Sequence, residues 1–208
     1  MEYIPQPQNI PNNIVAVFDF DDTLTVDDND FGGHERIEAL KSMFTELTQY
    51  GIKLAICTFN KKEFIIPQLL DANLFQYFNN EVIFDYEVFG EYGSLNKLKP
   101  PPPINRGWGK GTVINYLIMP AFDVIPSVME AKPDYNLGPI SQYAKGVVYS
   151  SHDSRNTLLF VDDDEKNISD VYRECPSCAT LLTPSGGLQT KHMEAIIKWG
   201  YHNKKYNF

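Results

Sequence analysis

Basic residues are scarce in this chain: 18 Lys and Arg stand against 27 Asp and Glu in 208 residues, a formal charge of −9. Nucleic-acid binding is therefore not expected, because affinity for phosphate backbones comes from clustered cations that displace counterions, although small nucleotides stay open as substrates. Cysteine is scarcer still. Cys57, Cys175 and Cys178 cannot build a disulfide framework and point to a reducing compartment. Cys175 and Cys178 form a single CxxC with no second pair and no paired histidines, which reads as ordinary loop cysteines before structural zinc. Cys57 lies in a hydrophobic run and reads as core. His34, His152, His192 and His202 show no ligand spacing and read as surface or packing residues. No apolar run approaches the roughly 18 residues of a membrane span, and the Pro/Asn/Gln-rich start has neither the basic nor the apolar region of a signal peptide. The chain reads as soluble.

What is present suits one well-buried α/β domain: 43% of the residues are hydrophobic and the length allows a single sizeable core. Residues 1–13 read as a poorly ordered lead, because Pro5, Pro7 and Pro11 oppose regular structure. The domain is expected over 14–200. A strand ends near Phe18, and a polar turn through Asp27, Asp28 and Asn29 leads to a helix over His34 to Tyr50, where Ile37, Leu40, Phe44 and Leu47 keep helical spacing and Gly51 marks the stop. A second strand fits Ile52 to Cys57. Lys61 to Ala72 reads as a helix that Pro67 kinks or begins, and Glu81 to Phe84 as a third strand. Four consecutive prolines make 97–105 a loop or a polyproline segment. A helix is expected from Gly111 to Met119 and an irregular excursion over 120–157. Then come a strand at Thr157 to Val161, a helix at Glu165 to Arg173, a strand at Ala179 to Leu182 and a closing helix at Leu188 to Trp199. Strands alternating with helices imply a parallel sheet. Residues 201–208 read as a tail that can lead into a further C-terminal region.

The chemistry gathers at strand ends. Val15 to Thr25, VAVFDFDDTLT, runs an apolar strand into Asp19 and Asp21, two carboxylates that alternation places on one face and whose proximity calls for a cation. The second strand ends at Thr58 and a later one at Asp162-Asp163. In parallel sheets, ligands sit beyond the carboxyl ends of the strands. A carboxylate nucleophile, a hydroxyl for a phosphoryl oxygen, a lysine and distant carboxylates for a metal together describe phosphoryl transfer.

DFDDTLT at 19–25, AICT at 55–58, GKG at 109–111 and LLFVDDDEKNI at 158–168 resemble, in order, the four signatures of the haloacid dehalogenase superfamily. The resemblance covers most of the domain and implies a Rossmann-like, three-layer fold with a central, mostly parallel sheet. It implies Asp19 as the nucleophile that forms an aspartyl-phosphate, and Asp21 as the acid that protonates the leaving oxygen and then activates water. Thr58 would donate to the phosphoryl group and Lys110 would stabilise nucleophile and phosphate, with Lys97 and Lys99 as rivals for that role. Magnesium would be held by Asp19, Asp21 and Asp163, with Asp162 as the fallback and Asn167 either in the metal shell or orienting Asp163. Asp22 and Thr23 would support the turn and brace its backbone.

Only residues 25–51 separate the first two motif strands, too few for the large cap that many of these enzymes insert there. An open site favours a phosphoryl group on a macromolecule, and the chain is similar to the superfamily's capless protein phosphatases, including phosphotyrosine-specific ones. Some of those are effectors secreted by intracellular bacteria, so host-cell cytoplasm stands beside the cell's own as an expected location. Segments 59–109 and 111–157 are the alternative source of a modest cap, under which a small phosphomonoester, or transfer to an acceptor other than water, becomes the competing reading. A noncatalytic binding module is the third. A P-loop is excluded because Ile104 and Gly111 occupy positions where that pattern needs Gly and Ser or Thr.

Overall fold

The computed structural model describes residues 13–27, 30–89, 109–124, 157–175 and 178–204. The Pro-rich stretch with Lys97 and Lys99, most of the 120–157 excursion with His152, most of the N-terminal lead and residues 205–208 lie outside them.

Five parallel strands form one open sheet: β1 (Val15–Phe18), β2 (Lys53–Cys57), β3 (Ile83–Phe84), β4 (Leu158–Asp162) and β5 (Ala179–Leu182), in the order β3-β2-β1-β4-β5. The helices are α1 (His34–Gln49), α2 (Lys62–Asp71), α3 (Tyr86–Phe89), α4 (Lys110–Val113), α5 (Met119–Ala121), α6 (Glu165–Glu174) and α7 (Thr190–Lys204). A π-helical stretch, Ile114–Ile118, joins α4 to α5. Sheet side chains alternate between two cores. Ala16, Phe18, Leu54, Ile56, Leu159 and Val161 face Leu40, Phe44 and Leu47 of α1, Ile65 and Leu69 of α2 and Ile196 of α7. Val15, Val17, Ala55, Cys57, Leu158 and Phe160 face Val113, Ile114 and Ile118 and, from α6, Ile168 and Val171. Strands covered on both faces read as continuous apolar runs, and these do. The result is an α/β fold of three layers, compatible with a Rossmann-like arrangement.

Most elements fall where periodicity places them, and the departures have local causes. Gly51 adopts φ +78°, which lets Ile52 N–H reach back to the Leu47 carbonyl and end α1. Pro67 does not start α2; it sits exposed inside the helix, where its missing N–H deserts only the carbonyl of exposed Glu63. The third strand shrinks to Ile83–Phe84 because the Asn79 side chain accepts the N–H groups of Glu81 and Val82 and winds Asn80–Val82 into a 3-10 turn. The segment after β2 is therefore built into the domain as α2, β3 and α3, at least to residue 89. The closing helix runs to Lys204, past the boundary expected at residue 200. Gly200 packs close to Leu47 and Ile52, and Asn203 donates to the Trp199 carbonyl, so the helix continues across the body of the domain. Cys175 and Cys178 form no disulfide; they lie between α6 and β5 with their side chains buried in the second core. Among the described residues no helix is long and apolar enough to cross a membrane.

β1 is central. The chain leaves it outward through β2 and β3, then returns on its other side as β4. Such a reversal opens a crevice beyond the strand ends, and Asp19, Thr58 and Asp162 lie at those ends.

Candidate active site

Asp19 follows β1 directly, its N–H still donating to the Val161 carbonyl at 2.8 Å. The chain then turns sharply. Asp22 takes φ +53°, Leu24 N–H bonds to the Phe20 carbonyl, and Thr25 Oγ1 accepts from Asp22 N–H at 3.2 Å while donating to Phe20 at 3.3 Å. Thr25 thus does the bracing expected of Thr23. The Thr23 hydroxyl donates instead to Asp163 Oδ1 at 3.4 Å. Arg36 fastens the turn from outside, giving hydrogen bonds to the carbonyls of Thr23, Leu24, Phe31 and Leu188. Nothing in the sequence pattern singles out that arginine, because its partners are all backbone atoms.

Lys110 is the centre of charge. Its Nζ lies 2.6 Å from Asp19 Oδ1 and 2.7 Å from Asp162 Oδ2, with 1% of the residue exposed. The GKG sequence explains how it arrives there. A side chain at Gly109 or Gly111 would collide with Asp170 or Glu174 of α6, so the two glycines let the start of α4 press against α6. Asp170 then accepts the Gly111 N–H at 2.9 Å and supplies the cap that Gly109 cannot. Burial alone would strip the Lys110 proton; the two carboxylates outweigh it and hold the ammonium above its ordinary value.

Asp162 is fully engaged. Besides Lys110 it accepts the Asp164 N–H at 2.8 Å and the Asn167 amide at 3.1 and 3.2 Å. Asn167 therefore orients Asp162, not Asp163. Asp19, Asp162 and Asp163 can each offer an oxygen within 4.8 Å of the others, a grouping that can hold a metal ion. Asp21 is not in that group. Its carboxylate faces the end of β2, accepting the Asn60 amide at 3.0 Å and a long bond from the Thr58 hydroxyl at 3.5 Å. So the structure brings Asp19, Lys110, Asp162 and Asp163 together and sets Asp21 and Thr58 beside each other, with the Asp21 carboxylate outside the three-carboxylate grouping. Burial pushes the Cys57 thiol, one residue before Thr58, far up, which favours its protonated form.

Three carboxylates around one lysine leave excess negative charge, and a hard divalent cation with oxygen ligands fits that donor set. The imbalance shows in the titration. Burial and the neighbouring Asp162, partly offset by Lys110, push Asp19 up from an ordinary 3.8 to about 7, and burial with Asp162 pushes Asp163 up to about 6. A carboxyl raised in the folded state favours its protonated form there, so its contribution to stability is present at low pH and lost as pH rises through the raised value. In chelator, the thermal midpoint should fall between pH 5 and pH 8, less steeply in Asp163→Asn, and a divalent cation should raise the midpoint more at pH 8 than at pH 5. Equal cation shifts at both pH values would remove these carboxylates as the binding group.

No protein-family model matches the chain, and no curated protein does. The site stands on its own geometry.

Proposed function

We propose that this chain is a haloacid dehalogenase-type phosphomonoesterase that works through an aspartyl-phosphate. The observation that carries the reading is Asp19 at the end of the central strand, held by buried Lys110 at 2.6 Å, with Asp21 and Thr58 across the crevice. Asp19 attacks phosphorus while Asp21 gives its proton to the leaving oxygen; Asp21 then takes a proton from water, which attacks the phosphorus of the acyl phosphate and returns Asp19 to a carboxylate. Lys110 offsets the charge of Asp19 and of the transferring group, and the Thr58 hydroxyl is a donor that a phosphoryl oxygen can take over. Asp19 and Asp163 would hold magnesium, because Asp162 is already taken up by Lys110 and Asn167; bound there, it would neutralise phosphoryl charge.

The particular substrate we favour is phosphotyrosine on a protein. Phe59 is 46% exposed, its ring centroid lies 5.1 Å from Lys110 Nζ, and it packs against Phe89 at 4.5 Å. An aromatic wall beside the reacting charge suits an aryl leaving group. Among the described residues the connection from β1 to β2 holds a turn, one isolated bridge and α1, which supports a site without a large cap. The test is magnesium-dependent phosphate release from matched phosphotyrosine, phosphoserine and phosphothreonine peptides beside a metabolite panel. Phosphotyrosine should lead, and Phe59→Ala should raise KM for that peptide roughly 2- to 10-fold while leaving the alkyl phosphates unchanged. Metabolite preference would shift the reading to a small-molecule phosphatase or phosphotransferase, and no release at all to a binding module.

A further inference from the structure

We infer that Asn60 is a positioning residue that sets which oxygen of Asp21 carries the transferable proton. The inference rests on the phosphomonoesterase reading and adds to it a residue that no sequence signature marks. Asn60 lies between β2 and α2, and its side chain has no freedom to flip. Its Oδ1 accepts the Lys61 N–H at 2.8 Å, which identifies the other end as the amide, and that amide Nδ2 donates to Asp21 Oδ1 at 3.0 Å. Its backbone is held on both sides as well. Asn60 N–H donates to Thr58 Oγ1 at 3.0 Å, and the Asn60 carbonyl accepts the Tyr86 N–H at 2.8 Å, which ties it to the start of α3.

An amide NH2 can only donate. Asp21 Oδ1 is thereby kept as an acceptor, whereas the Thr58 hydroxyl, 3.5 Å from Oδ2, can rotate to accept instead of donate, so an Asp21 proton resides on Oδ2. Thr58 is the side on which the phosphoryl group lies in the proposed reaction. Asn60 therefore aims the acid at the leaving oxygen and does so before substrate arrives, which is how a fixed group avoids the rate cost of misplacement.

A role of this kind predicts a selective defect. Leaving groups that depart as stable anions need no proton, whereas poor ones depend on the acid. The experiment measures kcat/KM of Asn60→Ala and Asn60→Asp with magnesium on p-nitrophenyl phosphate, phenyl phosphate and an alkyl phosphate. This quantity covers departure of the leaving group and omits the later water attack, in which Asp21 acts again. Asn60→Ala should lose no more than about 3-fold on p-nitrophenyl phosphate and about 10²-fold on the other two. Asn60→Asp, which keeps the size but sets a carboxylate against Asp21, should show the same selectivity. Retained activity on p-nitrophenyl phosphate is itself the evidence that the site is assembled. A uniform loss across the three substrates, or none, removes the positioning role while the phosphatase reading stands. Wild-type protein inert on all three removes that reading and this inference with it.

Discussion

Asp19→Asn is expected to fold, to melt at a higher temperature than the wild type in chelator, and to lose turnover by a factor on the order of 10⁴ or more. The loss follows from the chemistry, since an amide oxygen is no nucleophile toward phosphorus. The gain in stability follows from burial. Asp19 is 6% exposed, and burial, with Asp162 adding to it, pushes its carboxyl up to about 7. At pH 8 the metal-free fold thus holds an anion that its surroundings disfavour, and the neutral, isosteric amide relieves it. Lys110 keeps Asp162 as a partner at 2.7 Å, so no buried cation is stranded. Near pH 5, where the wild-type carboxyl is already protonated, the difference in midpoint should vanish. Thermal melts in chelator at the two pH values, with phosphate release in parallel, check all three parts. Full-rate turnover by the variant would remove Asp19 as the nucleophile.

Lys110→Met should damage both stability and activity, because the cation at the centre of the cluster is lost and its carboxylates are not. Removing one partner from a buried ion pair costs about 3–5 kcal/mol through the charge left behind. Here Asp19 and Asp162 are left facing each other with Asp163 beside them. The penalty should be larger at pH 8 than at pH 5, where protonation of Asp19 relieves the repulsion. Added magnesium should recover part of the lost stability by supplying positive charge, but turnover should stay down by about 10³-fold, since an ion held by Asp19 and Asp163 does not replace an ammonium fixed on the nucleophile. Chemical denaturation with and without magnesium separates the two effects. A variant as stable as the wild type in chelator would mean that the cluster is not charged as described.

The parallel sheet was legible because β1, β2 and β4 are short apolar runs bounded by polar residues, and because α1 keeps strict helical spacing. Ala179–Leu182 was legible for the same reason. The weak points were places where a single side chain redirects the backbone. Asn79 turns half of an apparent strand into a 3-10 turn, and α2 begins where buried Asp85 accepts the Lys62 N–H at 3.0 Å, close to the expected Lys61 and not at Pro67. Gly200 follows the expected end of the closing helix, yet the helix runs on through it, and its lack of a side chain allows close approach to α1. At the site, Asp19 and Lys110 stood out as members of an ordered set of motifs. Asn60, Asp170 and Arg36 did not, since each acts through a partner brought near only by folding: Asp21 is 39 residues from Asn60, Gly111 59 from Asp170, and Leu188 152 from Arg36. Asp21 itself was legible as a carboxylate at the rim but not in its direction, which depends on how the turn at Asp22 swings it toward β2.

The close seating of α4 on α6 reaches beyond the placement of one lysine. Lys110 is fastened through Gly109 and Gly111 to Asp170, while Asp162 and Asp163 immediately precede that same helix. The cation and the carboxylates that face it are therefore placed by one helix-to-helix contact. A side chain added at either glycine would push α4 away from α6 and so shift the ammonium against Asp162 and Asp163 together, which makes two residues without side chains as decisive for the cluster as the charged ones.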